Sequence, residues 1–189
     1  SERSELDSAV CGIVASGPHT DLNFTHEVFF LAINGAKRRI YITTPYFIPD
    51  LAILTALRTA VMRGIDVRIL VPGESDAPLV RLAGRSYYRE LLRFGVRIFE
   101  FENGILHTKA TIIDDDVSII GSANIDIRSF RLNFEMNCFV RDKSLNERLA
   151  ELFEYHLGQS HEVTFEEVEN ASNIRRLSEA AAHLFSPLM

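Results

Sequence analysis

"HTKATIIDDDVSIIGSAN", residues 107–124, sets two β-branched runs on either side of three consecutive aspartates, Asp114, Asp115 and Asp116. Short apolar runs around a polar cluster read as an antiparallel hairpin, expected over Ile105 to Ser122 with its turn at 114–116. Side chains two residues apart in a strand leave the same face about 6.6 Å apart, so His107 and Lys109 are expected to share one space. Asp114 has the opposite parity and belongs at the strand end or on the other face, supporting the hairpin. The returning arm brings Gly121, Ser122 and Asn124 alongside His107 and Lys109. Imidazole, ammonium, hydroxyl and carboxamide then converge, a set suited to a phosphodiester. Lys109 and Asn124 would hold the nonbridging oxygens, while the imidazole attacks phosphorus or protonates a leaving alkoxide. A metal ion fits less well, because a lysine on the same face repels it; neither metal nor cofactor is expected.

Outward from the hairpin, short β-branched runs alternate with amphipathic ones. Strands are expected at Ala9 to Ala15, Arg39 to Thr43, Asp66 to Val71 and Val96 to Glu100. Helices are expected at Phe24 to Lys37, at Leu51 to Arg63 with Asp50 as N-cap and Gly64 past its end, and at Ala77 to Phe94 with Pro78 in its first turn. Strand, helix, strand in succession implies a largely parallel sheet, because parallel neighbours need a crossover. The hairpin and a further strand at 133–141 make that sheet mixed. A capping box at Ser144 and Glu147 is expected to open a helix running to about His156. On the 133–141 strand Glu135 and Asn137 share one face and Phe134, Met136 and Cys138 the other. The acid is therefore expected toward the site and the apolar set toward the core.

The 189 residues, 47% hydrophobic and 24% charged, suit one α/β domain with a sizeable core. Acids outnumber bases by 26 to 20, so there is no broad basic surface for phosphate polymers or anionic lipids, and any anion site is local. Cys11 and Cys138 have no metal-ligand spacing and are expected as two buried, reduced thiols. No apolar run approaches the ~20 residues that span a bilayer, and SERSELD is too charged for a signal peptide. The chain is expected to be soluble.

HxK alone is a common coincidence; HxKxxxxD, then GSxN, then a strand bearing an acid is specific. HTKATIID with GSANIDIRS and NFE resembles the second catalytic motif of the phospholipase D superfamily. TPYFIPD (44–50), GRSYYRELLRFGVRIFEF (84–101), RSFRLNFEMN (128–137) and the terminal SPLM narrow the resemblance to the bacterial cardiolipin synthases, over nearly the whole chain. The resemblance implies a phospholipase D-like α/β/α sandwich with a mixed sheet. It implies a phosphohistidine mechanism in which His107 is nucleophile or general acid, Lys109 and Asn124 bind phosphate, Glu135 hydrogen-bonds and orients the histidine, Asp114 is structural, and Ser122 is the small hydroxyl residue of GSxN. Residues 1–160 are expected to form the catalytic domain and 161–189 a helical tail packed on it, with Ile174, Leu177, Leu184, Phe185 and Leu188 at docking spacing.

The implied reaction transfers a phosphatidyl group between two phosphatidylglycerol molecules, giving cardiolipin and glycerol. It needs two histidines, and one HxKxxxxD is present. The expected partner is an amino-terminal phospholipase D-like half of the same enzyme or a second copy of this chain. A membrane anchor absent from these residues is expected to hold the complete protein at the cytoplasmic face of the cell membrane. The alternative is a homodimeric phosphodiesterase or nuclease, although nucleic acid is disfavoured by the net charge of −6. Tyr46 and Phe47 follow a strand and are candidates for the rim of the site, Tyr46 as a substrate contact. Arg128 is a candidate for a lipid head group or for pairing with Asp126. Arg81, Arg85 and Arg89 recur at helical spacing, where a solvated face is the expectation. His19, His26, His156, His161 and His183 lack comparable neighbours and are expected to be surface or structural residues.

Overall fold

The computed structural model describes residues 9–18 and 23–184. In chain order the first elements are β1 (Val10–Ser16), α1 (Phe24–Gly35), β2 (Arg39–Thr43), β3 (Phe47–Ile48), α2 (Leu51–Met62), β4 (Asp66–Pro72), α3 (Pro78–Arg85), α4 (Tyr88–Phe94) and β5 (Arg97–Phe101). There follow β6 (Ala110–Ile113), β7 (Val117–Gly121), β8 (Ile125–Asp126), α5 (Ile127–Arg131), β9 (Glu135–Arg141), α6 (Lys143–Leu157), β10 (Ser160–Val163), α7 (Phe165–Glu169) and α8 (Asn173–Leu184).

Eight strands form one mixed sheet in the order β1-β9-β7-β6-β2-β4-β5-β10. β2, β4 and β5 run parallel, joined by helical crossovers. The 105–122 stretch supplies the change of direction: β6 lies antiparallel to β2, and β7 returns antiparallel to β6. Both faces of the central strands are buried, which is why they read as apolar throughout. Ile40, Ile42, Ile69 and Ile98 pack with Phe29, Ile33 and Phe130 in the larger core. Residues of opposite parity, Tyr41, Leu70, Phe99 and Ile112, pack with Ala150 and Phe153 of α6 in a second core. The Tyr41 and Phe153 rings stack 4.8 Å apart. With α6 on one face and the earlier helices on the other, the molecule is the expected α/β/α sandwich.

Local signals placed most of these elements. Asp50 caps α2, its side chain accepting from the Ile53 amide at 3.0 Å, and Gly64 beyond that helix has φ +83°. Two expectations fail. The helix anticipated from Ala77 to Phe94 is two, because Ser86 turns its hydroxyl back to the Ala83 carbonyl at 2.5 Å, a bond that competes with the helical ladder. The cap of α6 is not Ser144: Asp142, two residues earlier, accepts from the Leu145 amide at 2.6 Å, and a carboxylate at the N-cap also favours the positive end of the helix dipole.

The tail begins with a strand. β10 extends the sheet beside β5, Val163, Val168 and Ala182 are buried, and Ile174, Leu177 and Leu184 are exposed. His19, Phe185, Leu188 and the terminal SPLM lie outside the described residues. Among the described residues no helix is long and apolar enough to cross a membrane.

Candidate active site

His107 and Lys109 sit in the extended run that enters β6, not in the ladder itself, which starts at Ala110. The pairing nearly reaches them: the Gly121 amide donates to the Lys109 carbonyl at 3.3 Å. Lys109 Nζ donates to the His107 carbonyl at 2.9 Å. Asp114, at the hairpin turn with φ +50°, accepts from the backbone amides of Lys37, Arg38 and Arg39 at 2.7–3.2 Å. Its carboxylate thus fixes the start of β2 against the hairpin, far along the chain but adjacent in the sheet.

The returning arm makes a close crossing at Gly121. A Cβ there would overlap Asn137 Oδ1 and the Met136 carbonyl and come within 2.7 Å of Asn137 Cα. Asn137 cannot withdraw. It is 1% exposed, accepts from the Ala123 amide at 3.4 Å and donates to Thr25 Oγ1 at 3.4 Å. Gly121→Ala is therefore expected to destabilise by about 2–3 kcal/mol through overpacking, seen as a lower urea midpoint at unchanged slope.

Beyond Gly121, Ser122 donates to Glu135 and receives the Met136 amide at 3.0 Å. Asn124 is held from behind by Ser129, whose hydroxyl accepts from the Asn124 backbone at 3.1 Å and from Nδ2 at 3.4 Å. Asn124 Oδ1 is buried without a hydrogen-bond partner. Asp126, 5% exposed, caps α5 by accepting from the Ser129 amide at 2.6 Å. Burial raises its pKa against the hydrogen bonds from Ser129 and Asn124, with Glu135 adding to the rise. The native state thus holds this proton more tightly than the unfolded chain. Its contribution to stability is full below the ordinary aspartate pKa of about 3.9 and is lost as pH rises through the higher native value. Asp126→Asn is expected to flatten that part of the stability profile, measured by urea midpoints across pH; an unchanged slope would contradict it.

Three carboxylates surround the lysine. Burial pulls the Lys109 pKa below the ordinary range, and Glu135, Asp126 and Asp76 pull it back up. Glu135 does not meet the His107 ring, contrary to expectation: its oxygens are taken by Ser122 and, at 3.3 Å, by Asn133 Nδ2. The face assignment on β9 also needs correcting. Glu135 and Asn137 do face inward, yet Phe134 and Met136 are exposed, at 74% and 59%, because α6 covers the middle of the sheet and stops short of β9.

A cavity of about 880 Å³ opens beside His107, lined by Tyr46, Glu74, Asp76, Arg81, Glu100 and Glu102 among others. The Tyr46 hydroxyl donates to Asp76 at 2.8 Å, and burial raises its pKa. Phe47 is core, at 3% exposure. Arg128 is exposed and has no ion pair with Asp126, which is occupied as a cap. Arg81 and Arg85 are not a solvated face. Arg85 pairs with the buried Glu100 and lies near Glu179, and Arg81 reaches Glu100 at 3.5 Å; Arg89 pairs with Glu169 at 2.6 Å. His26 contacts Asp50 at 2.9 Å, a structural position. No motif or spacing singles out Asp76, which meets Tyr46 from 30 residues away, or Ser129, which braces Asn124 from five residues away. Asp126 was within reach of a capping argument, three residues before Ser129.

The sequence and the fold have counterparts among known proteins. The family model described as "Cardiolipin synthase, PLD-like domain" matches residues 30–157. The chain belongs to that family. It is 44% identical over 178 residues to the cardiolipin synthase of Halalkalibacterium halodurans, covering 94% of this chain and 35% of that protein. It is 42% identical over 184 residues to cardiolipin synthase A of Pseudomonas putida strain KT2440, covering 97% and 38%. The chain therefore spans little more than a third of the length of these relatives. Among solved structures it resembles the phosphatidylserine synthase of Haemophilus influenzae, with a TM-score of 0.77, 14% identity, and coverage of 96% of this chain and 48% of that one. It also resembles Nuc, a phospholipase D family member from Salmonella typhimurium, with a TM-score of 0.70, 21% identity, and coverage of 83% and 99%. At these identities the structural likeness establishes the phospholipase D-like fold alone.

Proposed function

We propose that this chain is the second catalytic half of a cardiolipin synthase, a phosphatidyltransferase in which His107, Lys109, Asn124 and Glu135 act on a phosphodiester. The observation that carries the reading is the identity of 42–44% to cardiolipin synthases over nearly the whole chain. The convergence of the HxK and GSxN segments at one end of the hairpin supports it.

In the proposed cycle one imidazole of a histidine pair, His107 or its counterpart, attacks the phosphorus of a first phosphatidylglycerol. A nitrogen–phosphorus bond forms, the bond to glycerol breaks, and the other imidazole gives its proton to the departing alkoxide. A hydroxyl of a second phosphatidylglycerol then loses its proton to that imidazole and attacks phosphorus. The nitrogen–phosphorus bond breaks and cardiolipin leaves. Lys109 and Asn124 Nδ2 hold the nonbridging oxygens and offset the charge that builds on them. Glu135 acts at one remove, holding Ser122 and keeping Lys109 charged. The second histidine comes from an amino-terminal phospholipase D-like half or from a second copy of the chain. Phosphatidylglycerol is the substrate, the complete protein works at the membrane, and the candidate substrate contacts Tyr46, Ser122 and Arg128 surround the reacting phosphate.

The cavity beside His107 favours lipid over nucleic acid. Glu74, Asp76 and Glu102 accept hydrogen bonds from a neutral polyol and repel a chain of further phosphates. The test is turnover of phosphatidylglycerol in mixed micelles by both halves together, with cardiolipin and glycerol released in equal amounts. An acid-labile phosphoryl adduct should be trapped on a histidine. Because Lys109 supplies the positive charge, chelation with EDTA is expected to leave the rate unchanged. Loss of activity on chelation and its recovery with added metal would overturn that assignment. The nuclease reading predicts instead cleavage of DNA with no lipid product.

A further inference from the structure

The chain's two cysteines lie 127 positions apart, and the expectation of two separate, buried thiols fails. β1 is an edge strand whose ladder partner is β9. Its register sets Cys11 against Val140 and Ile13 against Cys138, so the cysteines are diagonal neighbours on one face of the ladder. The right-handed twist of paired strands can draw one diagonal together. Here it leaves the two sulfur atoms 2.8 Å apart. Cys11 is exposed and Cys138 half-buried, so both can be reached by a small thiol reagent. Closing to the ~2.05 Å of a disulfide takes a small adjustment of the side-chain torsions.

We propose that Cys11 and Cys138 form an intramolecular disulfide site that fastens the edge strand to β9, the strand that begins with Glu135. The oxidant is a low-molecular-weight disulfide such as oxidised glutathione. Cys11, the more exposed thiol, loses its proton to solvent and attacks one sulfur of the oxidant. That sulfur–sulfur bond breaks, and one glutathione thiolate leaves. Cys138 then loses its proton and attacks the Cys11 sulfur of the mixed disulfide, releasing the second glutathione. Two protein thiols give up two electrons, and the oxidant becomes two thiols by taking up the two protons. The order follows from exposure and from Cys138 itself, whose hydrogen bond with Cys11 and partial burial hold its pKa above the ordinary range. Ser16, at the other end of the ladder, pairs with Glu135, so the bond restrains β1 along the whole strand that leads into the candidate site.

The test equilibrates the chain at low micromolar concentration in buffers running from reduced to oxidised glutathione. Samples are quenched with acid, alkylated, and read by intact mass and peptide mapping. The expected product in oxidised buffer is a single Cys11–Cys138-linked species, with no alkylatable thiol and a monomer band on non-reducing gels. Its melting temperature should exceed that of the reduced chain by about 5–10 °C. The equilibrium constant for forming the bond should be at least ~10²-fold greater in the folded chain than in urea, because folding holds the sulfurs together. Cys138→Ser should leave one stable glutathione adduct on Cys11. Two free thiols in oxidised buffer, two glutathione adducts on one chain, chain-to-chain crosslinks, or equal constants in the folded and urea-unfolded chain would each overturn the proposal.

Discussion

His107→Ala in an enzyme holding both halves is expected to lower phosphatidyl transfer by about 10⁴-fold or more, since loss of a nucleophile or of its acid-base partner removes the step itself. The structure makes this a clean experiment. The His107 ring is exposed and takes no part in the core, so the variant should melt within the ~0.5 kcal/mol typical of surface substitutions. A large fall in kcat with an unchanged melting temperature and similar phosphatidylglycerol binding to micelles is the expected pattern. Retention of more than a tenth of the wild-type rate would remove His107 from the reaction. Lys109→Ala should behave differently, because its ammonium also braces the His107 carbonyl; both KM and kcat should suffer.

The second large effect concerns the chain by itself. Its cores are complete on both faces of the sheet, so it should fold and unfold cooperatively without help. Its activity should not survive isolation. With one HxKxxxxD motif there is one imidazole for two roles, and turnover of phosphatidylglycerol should fall at least 10²- to 10⁴-fold relative to the two halves together. The measurement is cardiolipin formation in mixed micelles, with and without the amino-terminal half, over a range of concentrations. Strong turnover by the isolated chain, rising with the square of concentration when dilute and lost in His107→Ala, would replace the two-half enzyme with a homodimer.

What was legible in the sequence follows from how far each signal reaches. The parallel strands, the hairpin about Asp114–Asp116 and the α2 cap are local, each decided within a few residues by parity, turn chemistry or an N-cap side chain. The division at Ser86 was missed because a hydroxyl returning to the Ala83 carbonyl leaves the apolar periodicity intact. The cap of α6 was misplaced because two acceptable cap residues, Asp142 and Ser144, stand two apart. The face of β9 was misjudged for another reason: alternation says which residues share a side, not which side a helix covers. In the site, HxK and GSxN were legible as spacing. Asp76 beside Tyr46, Asn137 beneath Gly121, and the capture of Glu135 by Ser122 depend on segments 13 to 30 residues apart and leave no local trace.

The sheet order also bears on the sequence of events as the polypeptide leaves the ribosome. β2, β4 and β5 are joined by short crossovers and are all present once residue 101 has emerged, so this parallel unit can organise early from nearby contacts. The residues assigned to the chemistry at phosphorus, from His107 to Glu135, lie later, with Tyr46 the one candidate contact already made. The hairpin must dock on β2, and β9 then on the hairpin, and β1, the first strand made, must wait for β9 before it has a neighbour. The reactive end of the molecule is thus assembled after the parallel unit that supports it. A truncation or slow stretch of translation after β5 would leave a compact nascent domain with β2 unpaired on one side, a ready target for chaperones and for strand-to-strand aggregation.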